Sequence, residues 1–245
     1  MLAKIKDEMR RRIPFNYKYL WHRFRGKLFG FHSHSYSQFG EDMILKSIFR
    51  DKTKGFYVDV GAYHPHFISN THYFYKRGWQ GINIDPSPNC MELFRKWRKR
   101  DTNLELAVSD IREEKTFFLC DIPSLNTFSK KIVETRESTQ SIQFSAKKNI
   151  LCIPLRSILD EHLPKGRPID FFSIDAEGFD LNVLKSNDWK KYRPRAIVIE
   201  VDMNFKIDQL ESDPIVKYLG QLDYKLISFT LANFIFVEYS YTVVR

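Results

Sequence analysis

Two short segments constrain this chain more than any others: Tyr57-Val58-Asp59-Val60-Gly61-Ala62 and Gly81-Ile82-Asn83-Ile84-Asp85-Pro86. Each is an apolar, β-branched run that ends in an acid or a glycine turn, and they lie one β-α-β unit apart. An acid at the carboxyl end of the second strand is the ribose clamp of nucleotide-binding doubly wound sheets. The first turn departs from the dinucleotide pattern. It has one glycine, Gly61, where G-x-G-x-x-G needs three, and Tyr63 and Pro65 leave little room for a pyrophosphate on the backbone. A ligand with ribose and adenine but no bridging phosphates fits better, and S-adenosylmethionine (SAM) is the common one.

The 245 residues, 43% of them hydrophobic, suit one large domain with a substantial core. No apolar run approaches the ~20 residues of a membrane span. No apolar stretch of signal type follows the basic N-terminus. Cys90, Cys120 and Cys152 are widely spaced, without a zinc or C-x-x-C pattern. A reducing, cytoplasmic setting is therefore expected.

Charge is uneven. Residues 1–31 hold nine Lys/Arg against Asp7 and Glu8, a net +7 of the chain's +9. The same stretch carries Phe15, Tyr17, Tyr19, Leu20, Trp21, Phe24, Leu28 and Phe29. Rings interleaved with cations suit an anionic membrane surface or single-stranded nucleic acid, and a helical appendage packed on the domain would show the same pattern. Of the two partners, an anionic membrane at the inner face is expected and nucleic acid is not. Residues 1–36 thus read as a basic aromatic arm before a domain spanning 37–245.

Period switching outlines that domain. Strands are expected at 55–60, 80–85, 103–108, 169–175 and 195–201, with helices at 38–49, 69–77, 88–100, 155–163, 180–189 and 213–221 between them. Residues 224–229 and 233–239 read as a closing pair with the last strand antiparallel, and 115–120 and 150–153 as short extra strands. Strands alternating with helices mean a mostly parallel, doubly wound α/β sheet. The polar segment 121–149 is long enough to be a lid or recognition insert.

An ordered set of motifs now carries a resemblance. Ser37-Gln38-Phe39-Gly40-Glu41-Asp42, the Val58–Ala62 turn, Ser69-Asn70-Thr71, Arg77-Gly78-Trp79-Gln80-Gly81, Ile84-Asp85-Pro86, Ala107-Val108-Ser109, Ile174-Asp175-Ala176-Glu177-Gly178, Arg193-Pro194 and Ile199-Glu200 follow one another from Ser37 to Val201. In this order and spacing they resemble the FkbM family of SAM-dependent methyltransferases. The resemblance implies a class I methyltransferase fold, Rossmann-like, with a seven-stranded sheet, and methylation of a hydroxyl on a sugar, glycan or natural product. The chain departs from the family in Asp85, where Glu is commoner, and in His64, where a small polar residue is. The arm lies outside the resemblance.

Methyl transfer from a sulfonium needs a held donor, an aligned acceptor oxygen and a group to take its proton. Asp59 is expected near the methionine ammonium, Gly61 and Ala62 beside the donor backbone, and Asp85 on the ribose diol. Pro86, Ser109 and Asp110 are expected beside the adenine, and Gln38 and Glu41 over the methionine end. Asp175 and Glu177, at the carboxyl edge of the fourth strand, are candidate general bases, with His64 a further one. If Glu200 and Asp202 converge with them, the acids could hold Mg²⁺, a cation that prefers carboxylate oxygens. Turn or helix capping remains open for several of these acids.

The rival functions have weaker support. A nicotinamide oxidoreductase would need the three-glycine turn. A nitrogen or nucleic-acid base methyltransferase often carries Asn/Asp-Pro-Pro-aromatic where this chain reads Asp175-Ala176-Glu177-Gly178. A non-catalytic membrane-surface module would be expected to lose Asp59 or Asp85.

Overall fold

The Phe56–Val60 strand (β1) is buried along its whole length, as its unbroken apolar run requires of a central parallel strand. In the computed structural model, which describes residues 33–139 and 142–240, β1 lies at the middle of a seven-stranded sheet. The arm expected at 1–36 falls almost wholly outside the described residues. Ser35 and Tyr36 belong to the compact unit that the rest of the chain forms.

The elements follow in order: α1 (Glu41–Ile48), β1, α2 (His72–Lys76), β2 (Gln80–Ile84), α3 (Cys90–Trp97), β3 (Thr102–Leu104), β4 (Ala107–Val108), β5 (Glu113–Leu119), α4 (Lys130–Thr139), β6 (Ala146–Ile153), α5 (Leu155–His162), β7 (Phe171–Ile174), α6 (Asp180–Lys185), β8 (Ala196–Glu200), α7 (Pro214–Gly220), β9 (Tyr224–Thr230) and β10 (Asn233–Glu238). The large sheet runs β3-β2-β1-β7-β8-β10-β9. β1, β2, β3, β7 and β8 are parallel, and β10 runs antiparallel between β8 and β9. That reversal has a simple cause. Only Leu231 and Ala232 join β9 to β10, and two residues can close a hairpin but cannot cross a sheet.

The strand order reverses between β1 and β7. The chain first builds outward through β2 and β3, then returns to the other side of β1. Open α/β sheets bind ligands at the carboxyl ends of the strands flanking such a switch point. Helices cover both faces: α1 and α2 pack on Tyr57, Phe171, Val198 and Ile235, while α5, α6 and α7 pack on Val58, Ile82, Phe172 and Ile197.

The expected strand at 103–108 is in fact two. Thr102–Leu104 joins the large sheet, whereas Ala107–Val108 pairs in parallel with Cys152–Ile153 in a second sheet ordered β4-β6-β5. Local propensity is the same on both sides of the break; the partner 45 residues further along decides the sheet. The polar segment 121–149 is also more ordered than its composition suggests. It holds a 3₁₀ turn at Pro123–Leu125 and helix α4, and its last residues extend β6.

Candidate active site

The turn after β1 is fixed by backbone contacts. Gly61 has φ +77°, and a Cβ on it would lie 1.6 Å from the Asp175 carbonyl oxygen. Only glycine permits this approach of the β1 turn to the end of β7. The Gly61 and Ala62 amides both donate to the Ile84 carbonyl, at 2.9 and 3.1 Å. Asp85 ties the two turns together: its Oδ2 accepts from the Tyr63 amide at 2.8 Å and its Oδ1 from the Ser87 amide at 2.7 Å. These bonds leave acceptor capacity on each oxygen. Burial raises the Asp85 carboxyl above its ordinary range, and the two amides oppose that rise. Pro86 is half-buried between Asp85 and Ser87.

The other candidates have varied surroundings. Asp59 is buried and accepts from Thr71 Oγ1 at 2.7 Å and from Ser173. It belongs to a network around Arg98, whose guanidinium reaches Tyr57 Oη, Ser69 Oγ, Thr71 Oγ1 and the Pro65 carbonyl. Glu41 latches α1 to the β9–β10 hairpin, accepting from Thr230 Oγ1 at 2.5 Å, Asn233 Nδ2 at 3.1 Å and the Phe39 amide at 2.9 Å. Gln38 is exposed. Ser109 is buried beside β4, and its amide donates to the Ile153 carbonyl at 3.4 Å. Asp110 accepts from Ser109 Oγ and from Asn182 Nδ2 of α6, the bond that most lowers its pKa.

His64 does not have the geometry of a base. Its Nδ1 accepts from the amides of His66 and Phe67, both at 3.1 Å. That fixes the neutral tautomer with hydrogen on Nε2, which has no lone pair to receive a proton. The residue instead shapes its loop.

The acids at the ends of β7 and β8 do converge. Carboxyl oxygens of Asp175, Glu177 and Glu200 lie within 4.8 Å of one another. Glu200 donates a hydrogen bond to Asp175, so one proton is held between them. Burial is the largest cause raising both groups, followed for Glu200 by the Asp175 charge. Glu177 is also raised by burial, and an ion pair with Arg136 at 2.7 Å opposes the rise. Asp202, the fourth expected acid, is exposed and accepts from the Asn204 amide at 2.8 Å. The proton on Glu200 and the Arg136 guanidinium offset two of the three carboxylate charges, so the rim stays net negative.

The turn carrying these acids is strained by design of its surroundings. Glu177 has φ +48° and Gly178 φ +92°. A non-glycine residue in this region costs ~1 kcal/mol and persists where neighbours hold it. Asp180, at the start of α6, does so: it accepts from the amides of Ala176 and Gly178, and burial raises it to about 6. Thr127 Oγ1 donates to the Glu177 carbonyl at 3.0 Å.

Thr127 and Arg136 come from the 121–149 segment. The same segment reaches the other turn, where Asn126 Nδ2 donates to Ser87 Oγ at 3.3 Å. It therefore bridges the ends of β2 and β7 across the switch point. Sequence reading missed Arg136, which nothing local distinguishes from a solvated charge. It also missed Arg98, although the i, i+4 spacing from buried Phe94 places Arg98 on the apolar side of α3.

Comparison with known proteins gives the remaining findings. A family profile described as the methyltransferase FkbM domain matches residues 59–226. No curated protein matches the chain. Among solved structures, the precorrin-6y C5,15-methyltransferase of Geobacter metallireducens GS-15 is similar, with a TM-score of 0.40 and 12% identity, covering 80% of this chain and 86% of that one.

Proposed function

The chain belongs to the FkbM methyltransferase family and has its class I sheet, and from that premise we propose a SAM-dependent transfer of methyl to a hydroxyl oxygen of a sugar, glycan or natural-product acceptor. The family implies SAM, and the residues at the switch point suit it. Asp85 offers acceptor-only oxygens suited to a ribose diol, and the acidic rim beyond Gly61 suits a cationic sulfur. Bound there, SAM supplies an electrophilic methyl group.

The observation that carries the oxygen assignment is the proton-sharing arrangement of Asp175 and Glu200. An acceptor hydroxyl must lose its proton during transfer. Asp175 has its proton affinity raised toward neutral pH, where a general base works best. Glu200, holding the shared proton, orients the Asp175 carboxylate. Arg136 fixes Glu177 beside them; the strained 175–178 turn holds Asp175 and Glu177, and the pairing of β8 with β7 brings Glu200 to the same rim. The 121–149 segment would exclude water over the site, the role proposed for it as a lid.

Asp175→Asn should lower turnover ~10²-fold or more with little change in SAM affinity, measured by paired methyl-transfer assays and calorimetry. Glu177→Gln should cost less. Wild-type turnover in both variants would overturn the base assignment, and loss of activity on chelation would decide for Mg²⁺ at these acids.

The cytoplasmic setting, and attachment of residues 1–31 to an anionic membrane face, rest on composition alone. Among the described residues no helix is long and apolar enough to cross a membrane. Flotation of the full chain with and without residues 1–31 tests the attachment.

A further inference from the structure

The loop between β1 and α2 lies along α3 and presents apolar side chains to solvent. Cys90 Sγ, at the start of α3, meets the Tyr63 carbonyl at 2.9 Å, and Arg98 Nε, just past its end, donates to the Pro65 carbonyl at 2.8 Å. From this joint surface protrude Phe67, 69% exposed, Ile68, 53%, Trp97, 50%, and Leu93, 43%. They form one face. The Phe67 ring lies 4.8 Å from His64, His64 lies 5.9 Å from His66, and His66 lies 5.1 Å from Trp97. Leu93 stands one helical turn before Trp97.

The display is held in place. Ile68 has φ +50°, an outlier for a β-branched residue. The bonds from the His66 and Phe67 amides to His64 Nδ1, and from Arg98 to Ser69, keep the loop in this conformation. A strained loop that holds large apolar groups in water, with no core to bury them, is a built contact surface.

The charges around it select the partner. Arg95, Lys96, Lys99 and Arg100 are all exposed on α3 and the turn after it, with Lys96 Nζ 5.5 Å from the Trp97 ring. The nearby acids are fewer: Glu92 and Glu105 are exposed, Glu105 within electrostatic reach of Cys90, and Asp101 is turned inward to Tyr57, Gly81 and Asn83. A second copy meeting this face about a two-fold axis would set cations against cations. Separate protruding apolar tips inside a cationic rim instead match a bilayer interface, where rings sit among headgroups and Lys/Arg meet phosphates. Tyr36, near the start of the unit, packs 4.5 Å from His72, whose ring lies tilted against His66 at 4.7 Å, so the unit begins beside this face.

We propose that Phe67, Ile68, Leu93 and Trp97, with the basic residues of α3, form a docking face of the folded domain for anionic lipid bilayers. This is a contact distinct from the N-terminal segment and independent of the reaction. The loop begins at Tyr63, in the donor turn, so docking would bring the site near acceptors carried in the membrane; that last consequence alone rests on the function proposed above.

The test is flotation of the full chain with vesicles of phosphatidylcholine, alone or mixed with phosphatidylglycerol. Binding to the mixed vesicles is expected. Phe67→Ser combined with Trp97→Ser should reduce partition roughly tenfold with the N-terminal segment intact. Ile207→Ser, a control at an apolar side chain 74% exposed elsewhere, should leave it unchanged. Leu93→Ser, on the helix surface, gives a second reading if the double variant does not fold. Unchanged partition in the folded double variant and in Leu93→Ser would overturn the proposal. So would an equal loss in the control, absence of wild-type binding, or a wild-type dimer that the double variant dissolves in light scattering.

Discussion

Replacing Glu200 by Gln should change how stability depends on pH. In the folded protein Glu200 keeps a proton because it is buried beside Asp175, whereas in the unfolded chain it ionises in the ordinary carboxylate range. Its folded pKa is therefore raised. Stability from this group is fully present below the unfolded pKa and is lost as pH rises toward the folded one. One extra bound proton corresponds to ~1.4 kcal/mol per pH unit, or ~2.7 kcal/mol between about pH 5.5 and 7.5. Solvent reaches the partly exposed rim, and screening there brings the figure to about half, ~1.4 kcal/mol. Gln keeps a donor toward Asp175 and cannot titrate. Relative to wild type it should gain that amount across the window, ~3–5 °C in melting temperature for a domain this size. Paired melts of wild type and variant at several pH values isolate the pair, because Asp59, Asp85 and Asp180 contribute equally to both. Parallel curves with no growing gap would refute the shared proton.

Three further outcomes follow from the geometry. Asp85→Ala should weaken SAM by ~1–3 kcal/mol in calorimetry, and NAD should bind neither protein; unchanged SAM affinity would remove Asp85 from the donor site. Gly61→Ala should be among the most damaging single changes, costing ~4 kcal/mol or more, because its Cβ would overlap the Asp175 carbonyl at a φ of +77°; a normal melting temperature would contradict this packing. Arg136→Ala should alter acceptor kinetics, leave SAM affinity within about twofold and cost ~3 kcal/mol of stability, since its pair with Glu177 is mostly shielded from water and the carboxylate would be left unpaired; identical kinetics for the acceptor would argue against a covering role for the 121–149 segment.

Much of the framework was legible in the residues themselves. The apolar runs at β1, β2, β7 and β8 bury nearly every side chain, and that need is written locally as unbroken β-branched and aromatic sequence. Gly78, at φ +89°, ends α2 where the pattern placed a stop, and the two-residue link before Asn233 makes the last strand antiparallel. Tertiary structure decided what depends on partners distant in sequence. Ala107–Val108 left the large sheet because Cys152–Ile153 came alongside, and Asp59 and Glu41 turned to Thr71 and Thr230. Glu200 met Asp175 only because β8 lies beside β7, and Arg136 met Glu177 only because α4 folds over that edge. A carboxylate in a linear sequence carries its type and its place on a strand. Its proton affinity and its partners are set by the groups that folding gathers around it, and those come from segments that local patterns do not connect.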